Sequence, residues 1–319
     1  MISKEENKQP LLYGLVLAGG KSMRMGHDKS IIKWHGAEQR YYMADMLKSI
    51  CSDVFISCRP KQQQEIDQKH HIIPDSYTGS GPMTGILSAF KAYPDVAWLV
   101  TACDLPLLDN ATLQYLIDNR DTTKIATTFE SPFDGLPEPL ITIWEPAGYE
   151  VLLSFLANDF TCPRKVLIRN NERVKMLKAP NPDALMNANT PEDAEKVTKN
   201  MVLNKILSIP KLSESENKSV FDLLKESGYY QFPNEINEEE VKQIIHVRPE
   251  IIGMWIQWSE GKRTSSGWYI SNRCVCYLSD GITIKEQIFP DIETACAFHV
   301  KTEIEHIREL SYIYDGNTK

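Results

Sequence analysis

The sequence lacks the long apolar run of a membrane-spanning helix, because no stretch approaches the roughly 20 apolar residues that cross a bilayer. Its first ten residues, MISKEENKQP, hold no apolar segment behind a basic one, so we expect no secretory signal peptide. It also lacks an excess of positive charge: 35 Lys and Arg stand against 43 Asp and Glu, a formal net charge of −8. Proteins that bind nucleic acid or anionic membranes usually present a basic face, so neither partner is expected.

Cysteine is sparse and forms no recognisable pattern. The chain has seven cysteines, an odd number, and they are scattered without the spacing of a disulfide framework. Only Cys274 and Cys276 stand close together, and no second Cys or His pair accompanies them to complete the four ligands of a zinc site. The sequence therefore favours reduced thiols in a cytoplasmic protein.

What the sequence does contain is the composition of a folded protein with two domains. Of its 319 residues, 42% are hydrophobic and 24% are charged, which is ordinary for globular chains. At about 150 residues per domain, this length predicts two domains. Residues 208–219, SIPKLSESENKS, are polar, contain a proline and lack a period. We therefore expect a first domain over 1–204, a linker over 205–219 and a second domain over 220–319.

From residue 12 onward, short apolar runs alternate with stretches of helical period, which is typical of an α/β fold. Helices are predicted between most of the strands, one beginning near Pro82 and one capped by Asp109 or Asn110. The predicted strands are Tyr13–Leu17, Asp53–Cys58, His71–Ile73, Ala97–Ala102, Ile125–Phe129, Pro139–Trp144 and Val174–Lys178.

The second domain is expected to be a small α+β domain. Three of the six tryptophans of the chain fall in it, enough aromatic bulk for a separate core. Its predicted helices are Phe221–Ser227, Asn237–Ile245 and Asp291 to about Arg308. Its predicted strands are Ile251–Trp258, Trp268–Leu278 and Ile282–Ile288.

A glycine-rich segment, LAGGKSMRMGHDK at residues 17–29, directly follows the first strand. Glycine lets a backbone approach a ligand closely, and successive N–H groups can surround phosphate oxygens. Arg24 and Lys29 add positive charge where a triphosphate would lie. A Walker A loop would need a glycine at Leu15, and the dinucleotide fingerprint G-x-G-x-x-G is absent as well. The segment therefore excludes a P-loop NTPase and an ordinary Rossmann oxidoreductase.

A single acidic residue, Asp104, follows the fourth predicted strand. Taken alone, an Asp in this position is more often a turn residue. The carboxyl edge of a parallel sheet, however, is where open α/β folds bind ligands. Mg²⁺ typically takes only one or two protein carboxylates when it also contacts phosphates. Together with the glycine-rich segment, Asp104 becomes a candidate Mg²⁺ ligand.

These residues together resemble the molybdenum cofactor guanylyltransferases (the molybdopterin-guanine dinucleotide biosynthesis protein A family). The resemblance covers about residues 12–200, and it implies a three-layer, Rossmann-like nucleotidyltransferase fold. Gly-Gly at 19–20 favours the guanylyl branch over relatives that use CTP. The ordered segments that carry the resemblance are LAGGKSMRMGHDK (17–29), PDSYTGSGPMTGILSAF (74–90), CDLPLL (103–108), PEPLITIW (137–144) and NANTPEDA (187–194).

The resemblance implies transfer of GMP from Mg²⁺-GTP to molybdopterin that carries molybdenum, with pyrophosphate as the second product. GTP and molybdopterin are then the substrates, and molybdoenzymes or other proteins of cofactor biosynthesis are candidate partners. Two alternatives stay open. One is a cytidylyltransferase or other nucleotidyltransferase of the same fold, and the other is a nucleotide-binding regulator without catalysis.

The resemblance also assigns roles to residues. Asp104 matches the family's Mg²⁺ ligand. Arg24, Lys29 and Asp104 are the expected catalytic residues, because the positive charges of Arg24 and Lys29 would offset the charge that builds on the leaving group. The Asn pair Asn187 and Asn189 would line the active site. The nucleotide contacts would be Leu17, Ala18, Gly19, Gly20, Lys29, Asp75 and Asp104.

One segment departs from the family pattern. Relatives often carry a nucleotide-contacting Asn after the second strand, where this chain reads Ile56-Ser57-Cys58-Arg59. Ser57 can still donate a hydrogen bond to the nucleotide, and we include it among the candidate contacts.

Overall fold

We describe a computed structural model of the chain over residues 9–20, 28–78, 81–231, 237–262 and 264–314. The chain divides into two compact units, Met1–Val197 and Thr198–Lys319. In the part of the chain that is described, no helix combines the length and the apolar character needed to cross a membrane.

The first unit is built on a seven-stranded sheet with the order β3-β2-β1-β4-β6-β5-β7. Only β6 runs antiparallel to its neighbours, so the predicted α/β fold with a mostly parallel sheet is confirmed. The strands are β1 (Leu12–Leu17), β2 (Asp53–Cys58), β3 (His71–Pro74), β4 (Ala97–Ala102), β5 (Ala126–Glu130), β6 (Pro137–Trp144) and β7 (Val174–Lys178). The helices are α1 (Gln39–Lys48), α2 (Pro82–Ala92), α3 (Asn110–Asp118), α4 (Gly148–Ala157), α5 (Pro163–Arg169) and α6 (Pro191–Leu207), the last of which runs past the division between the units.

Both faces of this sheet are buried, as three layers require. Successive side chains of a strand point to opposite faces. In β1, Leu15 packs with Phe90 and Trp98 on one face, whereas Val16 packs with Met43 on the other. Burial on both faces explains why the strands are nearly continuous apolar runs, and why they could be predicted from the sequence.

The second unit is a small α+β unit with its own core. Its three strands pair antiparallel in the order β10-β9-β8. A fully buried Trp255 lies in the core, as the tryptophan content predicted. The elements are α7 (Ile209–Glu216), α8 (Val220–Ser227), α9 (Glu238–Val247), α10 (Glu250–Glu260), β8 (Gly267–Ser271), β9 (Cys274–Ser279), β10 (Ile282–Ile288) and α11 (Ile292–Tyr314).

Two strand predictions in this unit were wrong. The segment Ile251–Trp258 lies within helix α10. Its β-branched and aromatic residues favour a strand, but Ile251 and Trp255 are spaced i, i+4 and bury one helical face. The segment Trp268–Leu278 is two strands, β8 and β9, separated by a turn in which Asn272 adopts a left-handed conformation (φ 51°).

The structure also differs from the predicted linker at 205–219. Helix α6 continues to Leu207, and α7 follows at once. Ile209 is buried in the core of the second unit, so this stretch is anchored by packing. Pro210 lies in the first turn of α7, where its missing N–H interrupts no helical hydrogen bond. The few apolar residues here are outnumbered by Ser, Lys and Glu, which hid the helical period. Independent folding of the two parts stays a prediction.

A buried histidine makes the stability of the second unit depend on pH. His299 is fully buried with its ring edge-on to Trp255, and neither ring nitrogen has a hydrogen-bond partner in the described structure. Burial, and secondarily the Lys262 ammonium, lower the pKa of His299 to about 3. The unfolded chain, with a pKa of about 6.5, binds a proton in the window between these two values, so stability falls as the pH drops through it.

We predict that urea denaturation, followed by tryptophan fluorescence, will show this loss of stability between pH 7 and pH 4.5. His299→Leu should flatten the pH dependence, because it removes the buried titrating ring. His246→Leu removes an exposed imidazole and is the matched control. An unchanged pH dependence in His299→Leu would contradict the assignment.

Candidate active site

A cavity of about 470 Å³ lies at the carboxyl edge of the large sheet. The register of the central strands explains its position, because Leu17 is level with Ser57 on β2 and with Ala102 on β4. The chain segments that leave β1, β2 and β4 therefore start side by side and form the wall of the cavity, as expected for a ligand site in an open α/β sheet.

Most of the predicted site residues meet in this cavity. Arg24 falls outside the described residues. Asn187 and Asn189 are not part of the lining, although their segment is attached to it by contacts described below. The predicted residues that line the cavity are Leu17, Ala18, Gly19, Gly20, Lys29, Ser57, Asp75 and Asp104.

The glycine-rich segment is fixed to the neighbouring strand where it leaves β1. The Ala18 N–H donates to the Ser57 carbonyl oxygen at 2.9 Å. An added Cβ at Gly19 would lie 3.5 Å from Asp75 Oδ2, an ordinary contact, and one at Gly20 would meet nothing within 4 Å. Close packing does not demand glycine at either position. The bare backbone therefore leaves open space on the cavity side for a ligand to approach.

Helix α2 directs its amino terminus at the cavity. Gly81 precedes the helix with φ 108°, Pro82 occupies its first turn, and both residues line the cavity. The partial positive charge and unpaired N–H groups of a helix amino terminus favour phosphate. A Cβ at Gly85 would lie too close to Ser57 Oγ and Leu17 Cδ2, so both side chains would have to move to admit any residue other than glycine.

Asp104 presents a carboxylate oxygen that the protein leaves unsatisfied. Its Oδ1 is shielded from solvent and has no hydrogen-bond partner in the described structure. Burial raises the pKa of the Asp104 carboxyl, and the Lys29 ammonium opposes that rise. An unpaired, shielded carboxylate oxygen suits a divalent cation that also binds phosphate. The described residues contain no cluster of three or more acidic, His or Cys side chains that could hold an ion alone.

The side chain of Lys29 is held by a segment that is distant in the sequence. Its Nζ donates to Asn189 Oδ1 at 2.6 Å, across 160 residues of sequence. The Ala188 N–H donates to the Asp104 carbonyl oxygen at 2.8 Å, so one short segment contacts both charged residues. The backbone of Lys29 is in the short 3-10 helix Lys29–Ile31, which Asp28 caps by accepting from the Ser30 N–H at 2.9 Å.

Asp75 lies one residue beyond the end of β3 and lines the cavity. Its Oδ1 accepts from Ser57 Oγ at 3.3 Å. Burial raises the pKa of the Asp75 carboxyl, while the Ser57 hydrogen bond and the Arg59 guanidinium oppose that rise. The half-buried carboxylate can accept two hydrogen bonds from a ligand that offers adjacent donors.

Several lining residues were not predicted. Cys103 is buried beside Asp104, and burial, reinforced by that carboxyl, raises the pKa of its thiol well above the ordinary value. Arg59 lines the cavity as well and was not predicted to do so. Its position one residue beyond the end of β2 could have identified it, because residues just past strand ends line this edge. The other lining residues outside the predicted site are Asp28, Ser30, Gly81, Pro82, Gly85, Ala102 and Leu140.

We predict that Gly85→Ala will lower the melting temperature and weaken nucleotide binding, because the added methyl group collides with Ser57 and Leu17. An overpacked site typically costs about 1–3 kcal/mol. Gly253→Ala is the matched control, since it also replaces a helical glycine but meets nothing within 4 Å. The control should stabilise by up to about 1 kcal/mol. Equal melting temperatures for the two variants would contradict the close approach.

The comparisons with known proteins agree with this geometry. A model of the MobA-like NTP transferase domain matches residues 14–174. A molybdenum cofactor biosynthesis bifunctional protein from Synechocystis is 36% identical over 191 residues, which cover 60% of this chain and 54% of that protein, so the match spans about half of that relative. A probable molybdenum cofactor guanylyltransferase from Carboxydothermus hydrogenoformans is 29% identical over 190 residues, 58% of this chain and 93% of that one.

Among solved structures, molybdopterin-guanine dinucleotide biosynthesis protein A from Archaeoglobus fulgidus has a TM-score of 0.50 and 21% identity, over 59% of this chain and 100% of that one. This likeness confirms the nucleotidyltransferase fold that the motifs implied.

Proposed function

This chain belongs to the MobA-like NTP transferase family, and we propose that it transfers GMP from GTP to molybdopterin that carries molybdenum. The products are the guanine dinucleotide form of the cofactor and pyrophosphate. One observation carries this proposal. A single cavity combines an exposed glycine backbone, a helix amino terminus, a lysine, an unsatisfied carboxylate oxygen and a second carboxylate.

The reaction needs positioning and charge balance more than acid–base chemistry. A terminal phosphate oxygen of molybdopterin forms a bond to the α-phosphorus of GTP, and the bond to the bridging oxygen breaks on the opposite side. The electron pair of that bond leaves with pyrophosphate. Lys29 offsets the negative charge that builds on the leaving group. Arg24 is proposed for the same task, as its sequence position suggests.

Asn189 aims Lys29. A lysine side chain is flexible, and the 2.6 Å hydrogen bond from Nζ to Asn189 Oδ1 restricts it. The side chain then starts near its working position, which lowers the cost of ordering it when substrate binds. Asn187, two residues earlier, stays a candidate contact for the second substrate.

Asp104 would hold Mg²⁺ through its unsatisfied Oδ1. When bound, the ion supplies positive charge to the phosphate oxygens. Asp104 contributes an oxygen that is already desolvated, and the Lys29 ammonium opposes the rise in its pKa that burial causes. The presence of Lys29 and Asp104 together favours a catalyst over a regulator that only binds nucleotide.

Asp75 favours guanine as the base. Guanine offers two adjacent donors, N1–H and the 2-amino group, which match the two oxygens of one carboxylate. Cytosine and adenine each offer only one amino group on the corresponding edge. The carboxylate at the base end of the cavity therefore supports GTP over CTP and ATP.

The surroundings of the enzyme are also part of the proposal. All seven cysteines are free thiols, which suits the reducing cytoplasm. Molybdoenzymes that receive the product, and other proteins of cofactor biosynthesis, are the expected partners.

We predict that Asp104→Asn will reduce Mg²⁺-dependent transfer by about 100-fold or more, because the amide keeps the shape but loses the anionic oxygen. The measurement is pyrophosphate release from GTP and molybdopterin, with circular dichroism to check folding. Asp95→Asn, at an exposed position away from the cavity, is the control. A normal rate in Asp104→Asn would contradict the metal assignment.

We predict that, with Mg²⁺ present, GTP will raise the melting temperature by several degrees and that CTP and ATP will raise it less. A ligand at 100 times its dissociation constant adds about 2.7 kcal/mol to stability, which corresponds to a shift of several degrees. A rise with CTP alone would favour the cytidylyl alternative. No rise with any nucleotide would count against nucleotide binding by the free enzyme.

A further inference from the structure

One corner of the cavity places a positive and a negative side chain next to the glycine-rich segment. A Cβ built at Gly19 would lie 3.5 Å from Asp75 Oδ2, 3.6 Å from the Arg59 backbone nitrogen and 3.7 Å from Arg59 Cγ. Arg59 and Asp75 follow the neighbouring strands β2 and β3. Both line the cavity, so a ligand in this corner meets an acceptor and a donor side by side.

Arg59 is held firmly in that position. Its backbone N–H and its Nε both donate to Gln62 Oε1 at 3.1 Å. Gln62 is only 5% exposed, and its Nε2 donates to Asp28 Oδ2 at 3.1 Å. Because the amide is itself anchored on both sides, the plane of the guanidinium is fixed. A buried glutamine used in this way indicates that the orientation of the arginine matters.

The outer edge of the guanidinium remains available to a ligand. Nε is occupied by Gln62, whereas Nη1 and Nη2 make no hydrogen bond in the described part of the chain. Arg59 influences the Asp75 carboxyl through space, although no ion pair joins the two side chains among the described residues. Two parallel N–H donors therefore stand beside a carboxylate, and neither group is consumed by the other.

If GTP binds as proposed, this corner receives its base. Neighbouring strands are about 4.8 Å apart, so the end of β2 is about 10 Å from the end of β4, which Asp104 follows by two residues. The triphosphate belongs with Lys29 and Asp104, and this spacing leaves the β2 and β3 side for the base.

We propose that Arg59 is a specificity-determining residue that donates two hydrogen bonds, from Nη1 and Nη2, to O6 and N7 of guanine. The inference rests on the proposed use of GTP. Asp75 accepts from N1–H and the 2-amino group on the Watson–Crick edge, and O6 and N7 form the adjoining Hoogsteen edge of the purine. Adenine places an amino group where guanine has O6, and that group cannot accept from a guanidinium. Arg59 therefore rejects ATP as well as selecting GTP.

The test is equilibrium binding of the full chain, with Mg²⁺, to GTP, ITP, 7-deaza-GTP, ATP and CTP. Arg59→Ala should weaken GTP binding about 5- to 150-fold, the range for one bidentate contact. ITP lacks only the 2-amino group and keeps O6 and N7, so the substitution should weaken ITP binding by the same factor. 7-deaza-GTP lacks N7 and should bind wild type less well than GTP does. Arg59→Ala should weaken 7-deaza-GTP binding by a smaller factor than it weakens GTP binding. ATP and CTP should change little.

Two further variants sharpen the result. Arg59→Lys keeps the charge but not the planar fork, and it should not restore GTP binding. Lys61→Ala removes an exposed charge two residues away, outside the cavity, and should bind GTP like wild type.

Equal losses for GTP, ATP and CTP would overturn the proposal, because Arg59 would then contact the triphosphate or the ribose. Recovery with Arg59→Lys, or equal binding of GTP and 7-deaza-GTP by wild type, would overturn it as well. These results would leave GMP transfer by wild type intact. A wild-type protein that binds no GTP would instead overturn the proposed function.

Discussion

The pairing of β1 on both of its edges is the constraint on which the site depends. Its side chains are buried on both faces, and its neighbours β2 and β4 are held in register with it. Three chain segments therefore leave the sheet at one level, and the backbone after Leu17, the guanidinium of Arg59 and the carboxylate of Asp104 reach the same cavity. A slip of one residue along β1 would point each of its side chains at the opposite face, so the buried layers fix the positions of the ligand-binding groups.

The cavity without ligand is electrostatically incomplete. Asp104 Oδ1 is desolvated and unpaired in the described structure, and such a buried group costs about 1–3 kcal/mol. Lys29 partly compensates, and Asn189 keeps it near. The unpaired oxygen therefore lowers the stability of the protein without ligand but serves to bind a cation. A bound nucleotide with its cation would remove this cost. Gln62 is a second polar group that is buried beside the site, where its amide orients the guanidinium of Arg59.

The sequence was sufficient for the large sheet, because a strand buried on both faces is an apolar run of characteristic length, as Ala97–Ala102 illustrates. It also named eight of the residues that line the cavity, since strand ends at one edge of a sheet converge. The sequence-based prediction was wrong where tertiary packing determines the secondary structure. Ile251–Trp258 has the composition of a strand, but its buried residues have the spacing of a helix. It could not reveal that Asn189 holds Lys29, because nothing local links residues 160 positions apart. The anchoring of Arg59 by Gln62 needed atomic positions as well.

The buried thiol of Cys103 has a consequence for anyone who wants to label or inhibit the site. Alkylating reagents and oxidants attack the thiolate, and both burial and the neighbouring carboxyl of Asp104 keep this sulfur protonated. A warhead delivered by a nucleotide analogue would thus find a cysteine within reach but not reactive. A covalent ligand for this cavity therefore cannot rely on Cys103, and the site should tolerate mild oxidative conditions that inactivate thiol-dependent enzymes.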